Sequence, residues 1–431
     1  MLDGSAAEYA ALAARVDRLL PGTARVPAEL RHRVAAQPRP RASAIVGEAG
    51  RLRSRLAGRT GRRVRVLDAQ LRALECTARG LAGQEIGFRA EVATVFGVEI
   101  HPGEPDVYAA AHRVIGELLP GRGPVLLRWA AHRRRDEVPR ALLLPAVGAL
   151  AAALRTRVTW PLPPGEVVRW RLVDRAPWTA LHTGDGTRSV VTLNAGARLR
   201  WSALPGLVAH EAYPGHHVQS CRAACSPRPE DAVTLVRGPR AVLDEGAADA
   251  GFELLAGPDW GMWTAAVLGE VVRDALRGRY GEGARDAAAG VPAAAGGVPF
   301  DGELARLLAA AALPLQAVRQ DAALLLHDRR SPFVTRPAAA RDHLLRWLPL
   351  TRGEATRIVE GLGSPLWRGH VVTHVQGPPL VNGWLRGTGS PVDRYLRLLD
   401  EPLLPRELGR SPRAERPARS PDARPALFRA S

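Results

Sequence analysis

Residues 207–219 read LVAHEAYPGHHVQ, and the Pro214-Gly215 pair inside that run constrains the chain more than any other feature. Proline has no N–H, and its ring collides with the carbonyl four residues back, here that of His210, so one regular helix cannot run through the segment. Gly215 admits backbone geometries closed to other residues. The break matters because His210, Glu211, His216 and His217 flank it. On an unbroken helix His210 and His216 would lie about 600° apart, hence roughly 120° around the axis. His217 would share the face of His210 but stand about 10 Å further along. Neither pair could meet. A kink or helical bulge at 213–215 shortens the path and swings a second histidine back, with His216 and His217 both open as the one that arrives.

Two imidazoles that converge invite a metal. A hydrolytic zinc site takes two histidines and a third ligand, each about 2.0–2.2 Å from the ion, and keeps one position open for water. A glutamate next to the first histidine, here Glu211, then removes a proton from that water. The usual HExxH spacing places its histidines four apart on one helical face. The next helical pattern, AVLDEGAADAGFELL, carries Glu245 and Asp249 four apart on one face. One carboxylate can complete the ligand set while the other accepts the outer ring N–H of a ligand histidine.

Around this segment the chain is mainly helical by periodicity. Apolar spacing predicts helices over 6–20, 41–56, 63–81, 91–96, 107–119 and 141–154, the last apolar enough to lie deep in the core. Prolines make 21–40 an elbow. Residues 166–194 change texture, with β-like runs at 167–173, 178–182 and 189–193 and glycine turn chemistry at 184–186. They predict a small antiparallel sheet before the motif helix, with 189–194 at its edge, where an extended substrate could pair. Helical patterns resume at 243–255, 263–276, 304–327, 337–348 and 395–399. Three regions result: helical residues 1–157; residues 158–408 with the sheet and the metal site, packed against the first as one unit; and an Arg/Pro-rich tail over 409–431 expected to be disordered.

The formal charge of +17 raises the question of nucleic acid. All 60 basic residues are arginine, and Ala, Gly and Pro abound, as GC-rich codons dictate. The arginines are scattered rather than striped, which argues against nucleic acid as a partner. No uninterrupted apolar run reaches the roughly 18 residues of a membrane span, and three cysteines are too few for a disulfide scaffold, so the sequence reads as cytoplasmic with no membrane partner. Cys221 and Cys225 read as small core residues rather than a second metal pair with His217. His327, His343 and His370 are isolated in sequence and read as surface or hydrogen-bonded histidines.

The TLN run at 192–194, LVAHEAYPGHHVQ, Glu245-Gly246 and DAALLLH at 321–327 together resemble the domain of unknown function 885 family. Those are largely helical bacterial proteins held to be zinc metallopeptidases, and HExxPGHH is their hallmark. The resemblance spans about residues 88–408 and implies a large helical metallopeptidase-like fold. It implies His210, His216 and Glu245 as ligands of one zinc ion per chain, Glu211 as general base, Asp249 and His217 as supporting residues, and a peptide or small amide as substrate. Two departures stand out. Ala247 and Ala250 replace an aromatic pair, which predicts a roomier wall beside the metal. His374, three before Gly377, stands where the family has a tyrosine, so an imidazole would have to serve as the oxyanion donor. These losses motivate an alternative, a non-catalytic relative that keeps the fold as a metal-binding or interaction protein.

Overall fold

Apolar residues three and four apart draw the N-terminal helices into a bundle. In the computed structural model, which describes residues 2–291, 299–328 and 337–409, helices Leu2–Leu19, Ala42–Leu56 and Arg62–Leu81 bury Tyr9, Leu12, Ile45, Leu52, Leu67 and Leu71 against one another. The elbow between the first two holds more order than its prolines predict. It contains helix Ala28–Ala35 and strand Ala24–Arg25, and the strand pairs antiparallel with Thr234–Leu235. Val233 and Leu235 thereby close the bundle's core from the other half of the chain.

Two of the remaining cores also cross residue 157. Helices Phe88–Phe96 and Pro105–Leu118 pack with segments from Leu308 to Leu362 and with Val242. Helix Arg140–Arg155 lies deep, as its apolar sequence predicts, with Leu142, Val147 and Leu150 against Val191, Leu193, Val208 and Ala209. Helix Pro239–Ala256 contributes Val242 to one core, Leu243 and Ala247 to a second, and Phe252 to a third. A helix apolar on every side is one buried on every side. It carries Glu245 and Asp249.

The sheet before the motif helix is mixed, not antiparallel. Its strands are Val167–Val173, Ala180–Asp185 and Arg188–Asn194, and the last lies in the middle, parallel to the first and antiparallel to the second. The tight turn at Gly186 makes a hairpin of the second and third strands, while residues 174–179 cross the end of the third strand and leave the first on its far side. Arg188–Asn194 is therefore paired on both sides, and the expected substrate edge along 189–194 does not exist. Its nearly continuous burial is that of a central strand.

Further along, the pattern expected to run unbroken over 304–327 divides into Gly302–Ala312, a 3-10 turn Leu313–Gln316 and Ala317–His327, because Pro314 has no N–H to donate. Helix Val371–Leu385, which sequence periodicity misses, continues through Pro378 and Pro379. It crosses helix Pro239–Ala256 backbone to backbone. A Cβ on Gly246 would sit 2.5 Å from the Gly377 carbonyl, and one on Gly377 would sit 2.3 Å from the Val242 oxygen. Only glycine fits at either position. Among the described residues no helix is long and apolar enough to cross a membrane. The expected tail, from residue 410 onward, lies outside the described residues.

Candidate metal centre

The proline-glycine break does to the backbone what the spacing requires. Helix Leu204–Glu211 ends at Glu211, the chain turns through 212–215, and helix His216–Ala224 begins at once. The Gly215 N–H returns to the Ala209 carbonyl at 2.9 Å. A Cβ on Gly215 would lie 1.8 Å from the His210 carbonyl oxygen, so any side chain there would force the two helices apart. Pro214 packs against Gly251 of the buried helix, and its carbonyl accepts a hydrogen bond from the Tyr395 hydroxyl at 2.9 Å. The fold-back puts the rings of His210 and His216 only 4.6 Å apart, close to perpendicular.

Both imidazoles turn Nε2 toward one carboxylate oxygen. His210 Nε2 lies 3.1 Å and His216 Nε2 3.5 Å from Glu245 Oε2, and ligand atoms of the three residues all fall within 4.8 Å of one another. The outer ring nitrogens are held from behind. His210 Nδ1 pairs with Asp249 Oδ1 at 2.7 Å, and His216 Nδ1 with Gln219 Oε1 at 2.9 Å. The Gln219 amide in turn donates to the Asp244 carbonyl at 2.7 Å. Outer hydrogen bonds of this kind fix the tautomer and aim the lone pair of a metal-bound histidine. Asp249 thus stands behind His210, and Gln219, three residues past His216 on the same helix, is a supporting residue that sequence reasoning left unassigned.

A cation fits this arrangement. Glu245 Oε2 is buried among imidazole nitrogens at 3.1 and 3.5 Å, none of them in good hydrogen-bond geometry with it, so the three ligand atoms face a shared space. Burial alone would raise the Glu245 pKa. The charges of His216 and His374 and the approach of His210 outweigh it and hold the carboxylate well below its usual range. Burial likewise opposes a proton on His210, but Asp249 and Glu245 raise it well above the usual imidazole value. His216 is raised too, by Glu245 against its own burial. Two nitrogens and one carboxylate oxygen suit zinc and its transition-metal neighbours.

Glu211 follows His210 directly. It is buried, its Oε2 has no hydrogen-bond partner, and its charge acts on His216. His374, from the helix locked by Gly246 and Gly377, is half-exposed and places Nδ1 3.6 Å from Glu245 Oε2. His217, expected to support the ligands, makes its hydrogen bonds elsewhere. Its Nδ1 meets Ser189 Oγ at 2.8 Å and its Nε2 meets Glu166 Oε2 at 2.7 Å, while Tyr213 lies edge-on to its ring. Ser189 also meets His182 Nε2 at 2.8 Å, and the His182 ring lies 5.9 Å from that of His216. The sheet therefore reaches the centre through this buried chain.

The other sequence candidates separate cleanly. Cys221 is buried with its thiol pushed up to about 12 by that burial, and Cys225 is exposed, so they form no metal pair. His327 packs on Phe88 and bonds to the Leu362 carbonyl, and His343 lies 3.5 Å from Asp321. His370 is not isolated in space: it is half-buried, and its Nε2 lies 3.7 Å from Glu245 Oε1. Ala247 and Ala250 do not widen the centre. They sit in the core with Trp160, Tyr395 and Leu398. A cavity of about 850 Å³ opens beside His216, Gln219 and His182, and Arg25 and Arg31 border it.

No protein-family model matches the chain, and no curated protein matches it. Among solved structures it is similar to the crystal structure of a "putative lipoprotein" from Colwellia psychrerythraea, at 16% identity and a TM-score of 0.44, over 86% of this chain and 66% of that one.

Proposed function

We propose that this chain is a zinc-dependent hydrolase of peptide or related amide bonds, and a member of the domain of unknown function 885 family. The observation that carries the reading is the convergence of His210 and His216 on a buried Glu245 oxygen with no hydrogen bond of its own. A bound Zn²⁺ supplies Lewis acidity there, acidifying a water toward neutrality and polarising a carbonyl. The rest of the work falls to the chain. His210, His216 and Glu245 hold the ion, and Asp249 and Gln219 keep the two rings aimed at it. Glu211, adjacent to the first ligand, takes the proton from the attacking water and returns it to the leaving amine. His374, half-exposed and 3.6 Å from the same Glu245 oxygen, donates to the oxygen on which negative charge develops. Substrate enters through the cavity beside His216, where Arg25 and Arg31 offer guanidinium groups to a carboxylate at its end.

The test is metal analysis of the purified protein together with turnover of a peptide library. Bound zinc and metal-dependent cleavage are expected, with cleavage lost and zinc retained in Glu211→Gln. Full activity in that variant would sink the mechanism. Zinc binding without any turnover would favour the non-catalytic relative, for which the loss of the family tyrosine at His374 is the motivating observation.

A further inference from the structure

Glu245 has two further imidazole neighbours, one at each of its oxygens. Its Oε1 is approached by His370 Nε2 at 3.7 Å, and His374 Nδ1 lies 3.6 Å from its Oε2. His370 and His374 are four apart at the start of helix Val371–Leu385, the spacing that puts two imidazoles on one face, and their rings stand 5.4 Å apart at 90°. One ligand atom from each of Glu245, His370 and His374 lies within 4.8 Å of the others. This trio and the trio of His210, His216 and Glu245 share the carboxylate alone. The glycine crossing at Gly246 and Gly377 fixes the separation of the two helices, so the approach of His370 and His374 to Glu245 is built into the packing.

We propose that Glu245, His370 and His374 form a second cation site, so that the chain takes two divalent ions of the zinc class joined by one carboxylate. Two imidazoles with one carboxylate oxygen favour zinc, cobalt or nickel over calcium or magnesium, which prefer all-oxygen shells. Glu211, Glu245 and Asp249 supply three negative charges around the pair. Carboxylate-bridged ions in hydrolases stand about 3.5–4 Å apart and divide the work of activating the nucleophile and holding the oxyanion. Ligation through His374 Nδ1 leaves its Nε2–H free to donate, so the site adds to the role given to His374 above. The inference rests on the metal-centre reading and goes beyond its single ion.

The experiment is zinc stoichiometry. Chelator-treated full-length protein is loaded with Zn²⁺, dialysed and assayed for metal, with far-UV circular dichroism as the folding control. Two ions per chain are expected in the unaltered protein, one in His370→Ala/His374→Ala, and one in His210→Ala/His216→Ala. A single ion in the unaltered protein overturns the proposal even if every variant fails to fold. So does a His370→Ala/His374→Ala variant that folds and still holds as many ions as its parent. One ion with hydrolysis lost in Glu211→Gln would defeat this inference and leave the proposed function standing. Two ions with no hydrolysis of any amide would do the reverse.

Discussion

His216 and His217 are neighbours in sequence and opposites in setting. Successive residues on a helix point about 100° apart. His216 therefore faces the buried helix of Glu245, and His217 faces the sheet. Burial disfavours a proton on both. For His216, Glu245 outweighs burial and the pKa rises. For His217 burial wins and the pKa falls, with the charge of Arg155 adding to burial against the pull of Glu166. The first ring has its outer nitrogen anchored and Nε2 turned to a carboxylate oxygen without a donor. The second has both nitrogens occupied by Ser189 and Glu166. What separates a histidine that could hold a metal from a structural one here is an Nε2 not committed to a hydrogen bond within the protein, and that is a property of the partners, not of the residue.

The comparison can be broken most directly by exchanging the losses. His216→Ala should abolish metal-dependent turnover and remove one zinc ion while leaving the melting temperature of the metal-free protein little changed. His217→Ala should do the opposite. It empties a fully buried volume and strips Ser189 and Glu166 of a partner, at a cost of about 3 kcal/mol in urea unfolding, with zinc stoichiometry retained. If His217→Ala loses zinc and His216→Ala does not, the assignment of the two faces is wrong.

Smaller changes sharpen the same contrast. Asp249→Asn leaves the shape of the support behind His210 but removes its charge, and zinc affinity measured against a competing chelator should weaken about 10- to 100-fold. The corresponding change at Glu166, on the sheet side, should leave that affinity unaltered. A pH-dependent effect comes from Asp136, which anchors Ser202 at the entry to the motif helix. Burial raises its carboxyl to about 6. A raised carboxylate pKa means the folded state holds the proton more tightly than the unfolded chain. Its contribution is thus most favourable below about pH 4 and is lost as pH rises through 6, a change of about 3 kcal/mol. Asp136→Asn should flatten that part of the stability profile and expose the histidine contribution beneath it.

Much of the helical frame is legible in periodicity, since a 3.6-residue apolar repeat leaves few alternatives. The misses have identifiable causes. Helix Val371–Leu385 hides behind Pro378 and Pro379, and with it went the placement of His370, which looks isolated until the Gly246–Gly377 crossing brings it to Glu245. Helix Arg352–Gly363 carried a readable start, because Thr351 and Glu354 form a reciprocal cap of the T-x-x-E kind. Gln219 could have been found from its position three residues beyond His216. The mixed order of the sheet could not, since strand alternation reports burial and turn chemistry but not which side a crossing strand joins.

The sequence by itself determined that no regular helix runs from His210 to His217, because proline lacks a donor and collides with the turn before it. It also placed Glu245 and Asp249 on one helical face, since a spacing of four leaves no other choice. Which histidine turns to Glu245, that Gly215 must be glycine, and that His370 and His374 reach the same carboxylate were decided only by tertiary structure. Each depends on helices brought into contact by cores that span both halves of the chain, and no local pattern carries that information.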